Sequence, residues 1–334
     1  MPERHDIAVL GPVPHDRITT WRGATLEKFG GALYTVAALA SLVGAGSRIV
    51  PVTHVRKADR EAVCALLRAM PHVETDRVSD RADRGDAITM RYLDRNRRVE
   101  RQTGFMDPIV AEDVAGLDGF DAFVCVPITD VEVPLATLER LRGPCGEALV
   151  VFDAHGPTNA RTARGGRAPR LWAERDRWLP HIDILKMNLE EAGRCWFGDE
   201  RLAAPARVGP RSPGPGRLPM EELGRMAAHC LGAGVGAVCV TLDEHGCALW
   251  FRDADGRLRE RLIGPVPAGR VVDTTGCGDA FAGGLAYGYL RTGDYVEACR
   301  YGNAIGSQRC TGTGLDVHPA RAETERRMAE TYPA

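Results

Sequence analysis

Short apolar runs, mostly Val, Ile and Leu with few polar breaks, recur along the chain at 7–11, 48–55, 122–127, 148–154, 183–188 and 236–242. Their continuity suits strands covered on both faces of a parallel sheet. Between them the spacing predicts helices over 31–43, 58–69, 134–142, 171–179, 189–197, 220–233 and 279–291. A strand–helix series of this kind predicts a doubly wound α/β fold, with the sheet sandwiched by helices.

Three stretches depart from that rhythm. Residues 86–105 alternate, turn at Asp94–Arg97 and continue as a polar strand, which predicts an antiparallel hairpin projecting from the main domain. Its five arginines are read as a solvated face, since no aromatic platform accompanies them. Residues 203–217 are rich in Pro and Gly and predict an exposed loop. Phe29 to Ser47 carries no charge, but its Gly, Ala, Ser and Thr content predicts a helix packed on the sheet instead of a membrane span.

Composition narrows the partners. A net charge of −2 over 334 residues gives no electrostatic reason to expect nucleic acid or an anionic membrane. Ten cysteines are scattered with no C-x-x-C pair and are expected to be small buried hydrophobes in a reducing cytosol. That spacing argues against zinc. The N-terminal MPERHDIAVLG lacks the long apolar core of a signal peptide, so a cytoplasmic location is expected.

Candidate chemistry concentrates at VVDTTGCGDAFAGG, residues 271–284. Asp273, Thr274 and Thr275 are turn and cap formers. Gly276 and Gly278 permit backbone conformations that side chains resist. Phe281, Leu285 and Tyr289 then fall on one helix face. The pattern puts glycines at a helix N-terminus, where N–H groups and the dipole favour an anion. A carboxylate there has a purpose if Asp279 takes a proton from a hydroxyl that attacks a phosphoryl group. A merely capped helix start accounts for Asp279 but not for both glycines and the small residues behind them. Other phosphate motifs fail: Lys28, Lys57 and Lys186 do not follow Gly as in a P-loop, and GAGVGA at 232–237 precedes a strand instead of following one.

DTTGCGDAFAGG resembles the C-terminal signature of the ribokinase-like (PfkB) carbohydrate kinases, D-T-x-G-A-G-D. Further segments match in order over nearly the whole chain: GPVPHDRI, GGALYTVAALASLVGAG, FDAHGPTNARTARGGRAPRLW, KMNLEEA and VTLDEHGCALW. The resemblance implies one ribokinase-like domain over 1–334, with a small β lid formed by about 12–30 and 86–105. It implies a phosphotransferase that moves the ATP γ-phosphoryl group, with Mg²⁺, to an alcohol group of a small molecule.

In the same terms Asp279 is the base, and the backbone of Gly276, Cys277 and Gly278 is the anion hole. Asp16, Gly30, Gly31 and Thr35 bind the acceptor. Asn188, Glu191, Thr241, Gly246, Thr274, Asn303 and Gly312 lie on the nucleotide side, and Glu191 positions Mg²⁺ through water. Asn188 with Glu191 is also a plain capping box. The family leaves open a monovalent cation and a homodimer through the lid.

Two departures bear on the ligands. Asp243 stands where the family usually has Gly beside the nucleotide, which leaves the donor open. Thr35 replaces a substrate-binding Asn, which argues against ribose itself. The PHDRI and GGALYT segments resemble the cyclitol branch somewhat more. A nucleoside kinase, with Tyr34 or Phe105 stacking on the base, and a catalytically silent sugar-binding protein are the alternatives.

Overall fold

The computed structural model describes residues 4–20, 22–93, 98–143, 146–162, 166–197 and 219–333. The strands are β1 (Asp6–Leu10), β2 (His15–Thr19), β3 (Thr25–Phe29), β4 (Arg48–His54), β5 (Val78–Ser79), β6 (Ala87–Tyr92), β7 (Arg98–Gly104), β8 (Ala122–Cys125), β9 (Leu149–Asp153), β10 (Asn159–Arg161), β11 (Arg167–Pro169), β12 (Ile184–Asn188), β13 (Ala237–Thr241), β14 (Cys247–Arg252) and β15 (Leu258–Ile263). The helices are α1 (Ala32–Leu42), α2 (Lys57–Arg68), α3 (Leu135–Arg142), α4 (Arg175–Trp178), α5 (Leu189–Cys195), α6 (Met220–Gly232), α7 (Cys277–Thr292), α8 (Tyr295–Arg309) and α9 (Arg321–Thr331).

All six strands expected from apolar runs form and pair in parallel within one nine-stranded sheet, ordered β15-β14-β13-β12-β9-β8-β1-β4-β5. The sheet is mixed, because β14 and β15 add an antiparallel edge. Alternation along each strand feeds two cores. Ile7 and Val9 face the layer holding Leu33, Phe281 and Leu285, while Ala8 and Leu10 face the layer holding Trp172, Leu223 and Met226. That two-sided burial explains the unbroken apolar runs.

Phe29–Ser47 supplies α1, buried along nearly its whole length in the first layer. Among the described residues no helix is long and apolar enough to cross a membrane. The small residues of α7 have a packing cause. A Cβ on Gly283 would lie 2.9 Å from the Thr35 carbonyl oxygen, and one on Gly288 would lie 2.7 Å from Ala298 Cα. α7 is thus sunk between α1 and α8.

A second sheet of four strands, ordered β3-β2-β6-β7, stands apart from the first. β6 and β7 are the two arms expected over 86–105, antiparallel as predicted. The turn at 94–97 and the loop at 203–217 lie outside the described residues. β2 pairs in parallel with β6, which brings Asp16 opposite Ile88 and joins the 12–30 segment to the hairpin.

Candidate active site

The functional candidates collect at the carboxyl ends of the parallel strands, where ligands of open α/β sheets bind. Asp153 ends β9, Asn188 ends β12 and Thr241 ends β13. α7 begins over the same edge. Its N-cap, Gly276, has φ 81°, and a Cβ there would sit 2.2 Å from Tyr34 Cδ2. Only glycine suits that position. Asp273 shapes the loop: its carboxylate accepts from Thr275 N–H at 2.9 Å and from Lys28 Nζ at 3.0 Å. The Cys277 N–H reaches the Thr274 carbonyl at 3.3 Å, so of the three amides expected to face an anion this one already has an acceptor inside the loop.

A buried network of charges lies against this helix start. Lys186 Nζ donates to Asp153 Oδ2 at 2.5 Å, both residues being buried, and a Cβ on Gly278 would lie 3.0 Å from that same nitrogen. Burial works against the Lys186 ammonium, but Asp153, Glu191 and Asp279 outweigh it and hold it protonated. His155 and Glu191 meet at 2.8 Å. Burial alone would raise the Glu191 carboxyl; the His155 hydrogen bond and charge, with Lys186, hold it below the usual range. The Asp279 carboxyl goes the other way. Burial raises it to about 6, with Lys186 opposing and Asp153 adding to the rise. A carboxylate poised there suits proton removal near neutral pH.

The Asn188–Glu191 capping box is complete. Asn188 Oδ1 accepts from the N–H groups of Glu190 and Glu191 at 2.9 Å, and Glu191 Oε2 accepts from Asn188 N–H at 2.8 Å. Glu191 Oε1 also accepts from Asn188 Nδ2. Both Glu191 oxygens are therefore held within the protein.

The acceptor candidates form a second group. Asp16 is 3% exposed, and its Oδ1 has no hydrogen-bond partner among the described residues. Burial pushes its carboxyl to about 7, against Lys28 and Arg167 and with Glu100. Gly30 keeps the space beside it: a Cβ there would meet Asp16 Oδ2 at 3.2 Å and the Tyr34 ring at 3.1 Å. Tyr34 thereby touches both Asp16's surroundings and the phosphate loop. Gly31 serves the backbone, with φ 59° and Pro12 O 2.4 Å from a would-be Cβ.

Two of the expected site residues already have partners within the protein. Thr35 is fully buried, and its hydroxyl donates to the Asp279 carbonyl oxygen at 2.8 Å, which ties α1 to α7. Asn303 Nδ2 donates to the carbonyl oxygens of Ile263 and Gly264 at 3.2 and 2.9 Å. Gly246 has φ 84° and lies against Ile263 O, Thr241 Oγ1 reaches Met187 O at 3.4 Å, and the Thr274 side chain is exposed. The Gly312 carbonyl accepts from Arg309 Nη1 at 2.7 Å. Asp243 is exposed with φ 54°, which explains why glycine is usual at this position.

Several residues were not singled out from sequence. Lys186 was noted only as failing the P-loop pattern, and its place at the end of an apolar strand was the missed signal, because a buried strand lysine needs a partner. Asp86, just before β6, and Gln102, on β7, are buried; Gln102 Nε2 donates to Asp86 Oδ1 at 2.6 Å, leaving Asp86 Oδ2 and Gln102 Oε1 without partners among the described residues. Arg309 is fully buried, stacked 4.4 Å above the Tyr34 ring and 3.7 Å from the Asp273 carboxylate. A cavity of about 820 Å³ lies on the far side of Tyr34, lined by Lys28, Met70, Leu315 and His318 and by none of the catalytic candidates.

Residues 159–321 match the model of the pfkB family carbohydrate kinases. An uncharacterized sugar kinase of Archaeoglobus fulgidus is 40% identical over 88 residues, 26% of this chain and 33% of that one. Ribokinase of Arabidopsis thaliana is 33% identical over 129 residues, 39% of this chain and 28% of that one. The matched stretches thus span about a third of these curated relatives. Over the whole fold, Arabidopsis thaliana ribokinase complexed with ribose and ATP superposes with a TM-score of 0.72 at 17% identity, covering 97% of this chain and 99% of that one. A pyrophosphate-dependent kinase of the ribokinase family, complexed with a pyrophosphate analog and myo-inositol, superposes at 0.65 with 18% identity, covering 98% and 100%. The chain thus resembles the pfkB family carbohydrate kinases over residues 159–321 and has a ribokinase-like α/β fold.

Proposed function

We propose that the protein is a small-molecule kinase that transfers the γ-phosphoryl group of ATP to a hydroxyl of a sugar or cyclitol. One observation carries this reading. Asp279, its carboxyl raised to about 6, stands at a helix start formed by Gly276 and Gly278, and the Lys186 ammonium lies beside Gly278. That arrangement supplies a base, backbone N–H groups and a fixed positive charge to one reacting phosphoryl group. The acceptor hydroxyl loses its proton to Asp279 as its oxygen bonds to the γ-phosphorus, and ADP leaves.

Mg²⁺ fits on the chemistry of the donor set. Glu191 and Asp153 are buried carboxylates already held by His155, Asn188 and Lys186, which suits an ion that keeps its waters. Bound there, Mg²⁺ would supply charge neutralisation to the donor phosphates.

Within this reading the acceptor is a polyol in preference to a nucleoside. Asp16, Asp86 and Gln102 offer buried oxygens without donors, which hydroxyl groups satisfy. Both aromatic platforms that a base would need are covered: Arg161 lies 4.2 Å over Phe105, and Tyr34 has Arg309 on its ring and Gly276 against its edge. The myo-inositol complex of a structural neighbour supports a cyclitol, and the ATP complex of another supports the donor.

Phosphate-transfer assays over sugars, cyclitols and nucleosides, with ATP, GTP and pyrophosphate as donors, test this. Turnover with a polyol and ATP is the expected result. Turnover with nucleosides alone would overturn the acceptor class. Polyol binding by thermal shift without turnover under any donor would favour the silent sugar-binding protein.

A further inference from the structure

Three cysteines meet in the core between β13, β14 and α8. Thr241 pairs with Cys247 across the β13–β14 ladder, so Cys239, two residues back, shares a face with Cys247. Cys299 comes down from α8 onto that face. All three are fully buried, and their Sγ atoms lie within 4.8 Å of one another, with Cys239 and Cys299 at 3.7 Å. Sequence spacing hid this cluster, because its members come from three elements and 60 residues of chain separate Cys239 from Cys299.

The geometry matches a threefold site. A bond of about 2.3 Å from the central atom to sulfur puts three sulfurs about 3.4 Å apart in a pyramidal set and about 4 Å apart in a planar one. The surroundings choose the ion. The neighbouring side chains are apolar, Ala237, Leu249, Ile263 and Ala298 among them, with the Asn303 amide beside Cys247. Lys186, whose charge acts on Cys239, is already paired with Asp153. A zinc tris-thiolate would keep a net negative charge and seek a fourth ligand; a cuprous one would keep more charge still. Trivalent arsenic forms a neutral complex with three thiolates and needs neither counter-ion nor fourth ligand.

We propose that Cys239, Cys247 and Cys299 form a binding site for trivalent arsenic, independent of the kinase reading. The exchange balances without redox change. Arsenous acid gives up three hydroxides; three As–O and three S–H bonds break, three As–S bonds form and three waters leave. Entry needs local opening of β15 and β14, which lie at the edge of the large sheet, so loading is slow.

The full chain titrated with arsenite tests the site by native mass and by melting temperature. The expected result is one arsenic per chain with three protons lost, and a melting temperature that rises with ligand. Cys239→Ala, Cys247→Ala and Cys299→Ala each abolish equimolar binding, while Cys64→Ala and Cys310→Ala retain it. X-ray absorption of arsenic-loaded wild type, which does not depend on any variant folding, shows three sulfur neighbours and no oxygen. Two sulfurs and an oxygen, binding that survives all three cluster variants, binding lost with Cys310→Ala, or displacement of arsenic by equimolar zinc would each overturn the proposal.

Discussion

The two halves of the cleft treat buried charge in opposite ways. Around the start of α7, buried ions have partners: Lys186 holds Asp153, and His155 and Asn188 hold Glu191. Beside the small sheet, Asp16, Asp86 and Gln102 keep oxygens that no donor among the described residues reaches. Paired charges are fixed before a ligand arrives, which is the condition for stabilising charge that develops during reaction. Unpaired acceptors carry a desolvation penalty until hydroxyl donors relieve it, which is the condition for recognition. Under the proposed function, the contrast corresponds to phosphoryl transfer in one half and acceptor choice in the other.

Substitutions on the paired half should lower turnover. Asp279→Asn removes the proposed base while keeping shape, and kcat should fall about 10²–10⁴-fold with acceptor binding retained in calorimetry. Lys186→Met should lower kcat about 10²–10³-fold and also destabilise the fold by about 3–5 kcal/mol, because Asp153 is left buried without its cation. Kinetics and denaturant melts on the same sample separate those two effects.

On the unpaired half the signature shifts to binding. Asp16→Asn should raise the acceptor KM about 10–100-fold and change kcat far less. If kcat fell as far as in Asp279→Asn, the division between the halves would fail. The same variant carries a pH signature. The Asp16 carboxyl sits near 7 in the fold, raised chiefly by burial, and near 4 unfolded. The native state therefore binds more protons between those values, so wild-type stability falls as pH rises from about 4 to about 7. Asp16→Asn should flatten that slope in melts across the range; an unchanged slope would place the carboxyl's pKa elsewhere. The smallest effect is expected of Asp243→Gly. Asp243 is exposed in a left-handed turn, and removing its charge should lower the ATP KM a few-fold at most, within what an exposed charge contributes.

The parallel core was legible because strands buried on both faces read as unbroken apolar runs. α7 was legible from Gly276, Gly278 and the Phe281, Leu285 face, all of which its packing uses. The antiparallel edge was not: β15 is largely exposed and rich in charge, so it lacks the core signal, although it pairs fully with β14. α8 was missed despite Gly293 ending α7 with φ 66° and Asp294 capping the next helix. In the site, residues fixed by backbone geometry could be read, whereas Lys186, Asp86, Gln102 and Arg309 gain meaning only from what the fold packs against them.

The measurement closest to the central claim is the pH dependence of kcat at saturating acceptor, compared between wild type and the residual activity of Asp279→Asn. The account predicts that wild-type kcat rises with pH through an apparent pKa near 6, as the Asp279 carboxyl ionises, and that this limb is absent from the variant. The same limb in Asp279→Asn would contradict Asp279 as the base.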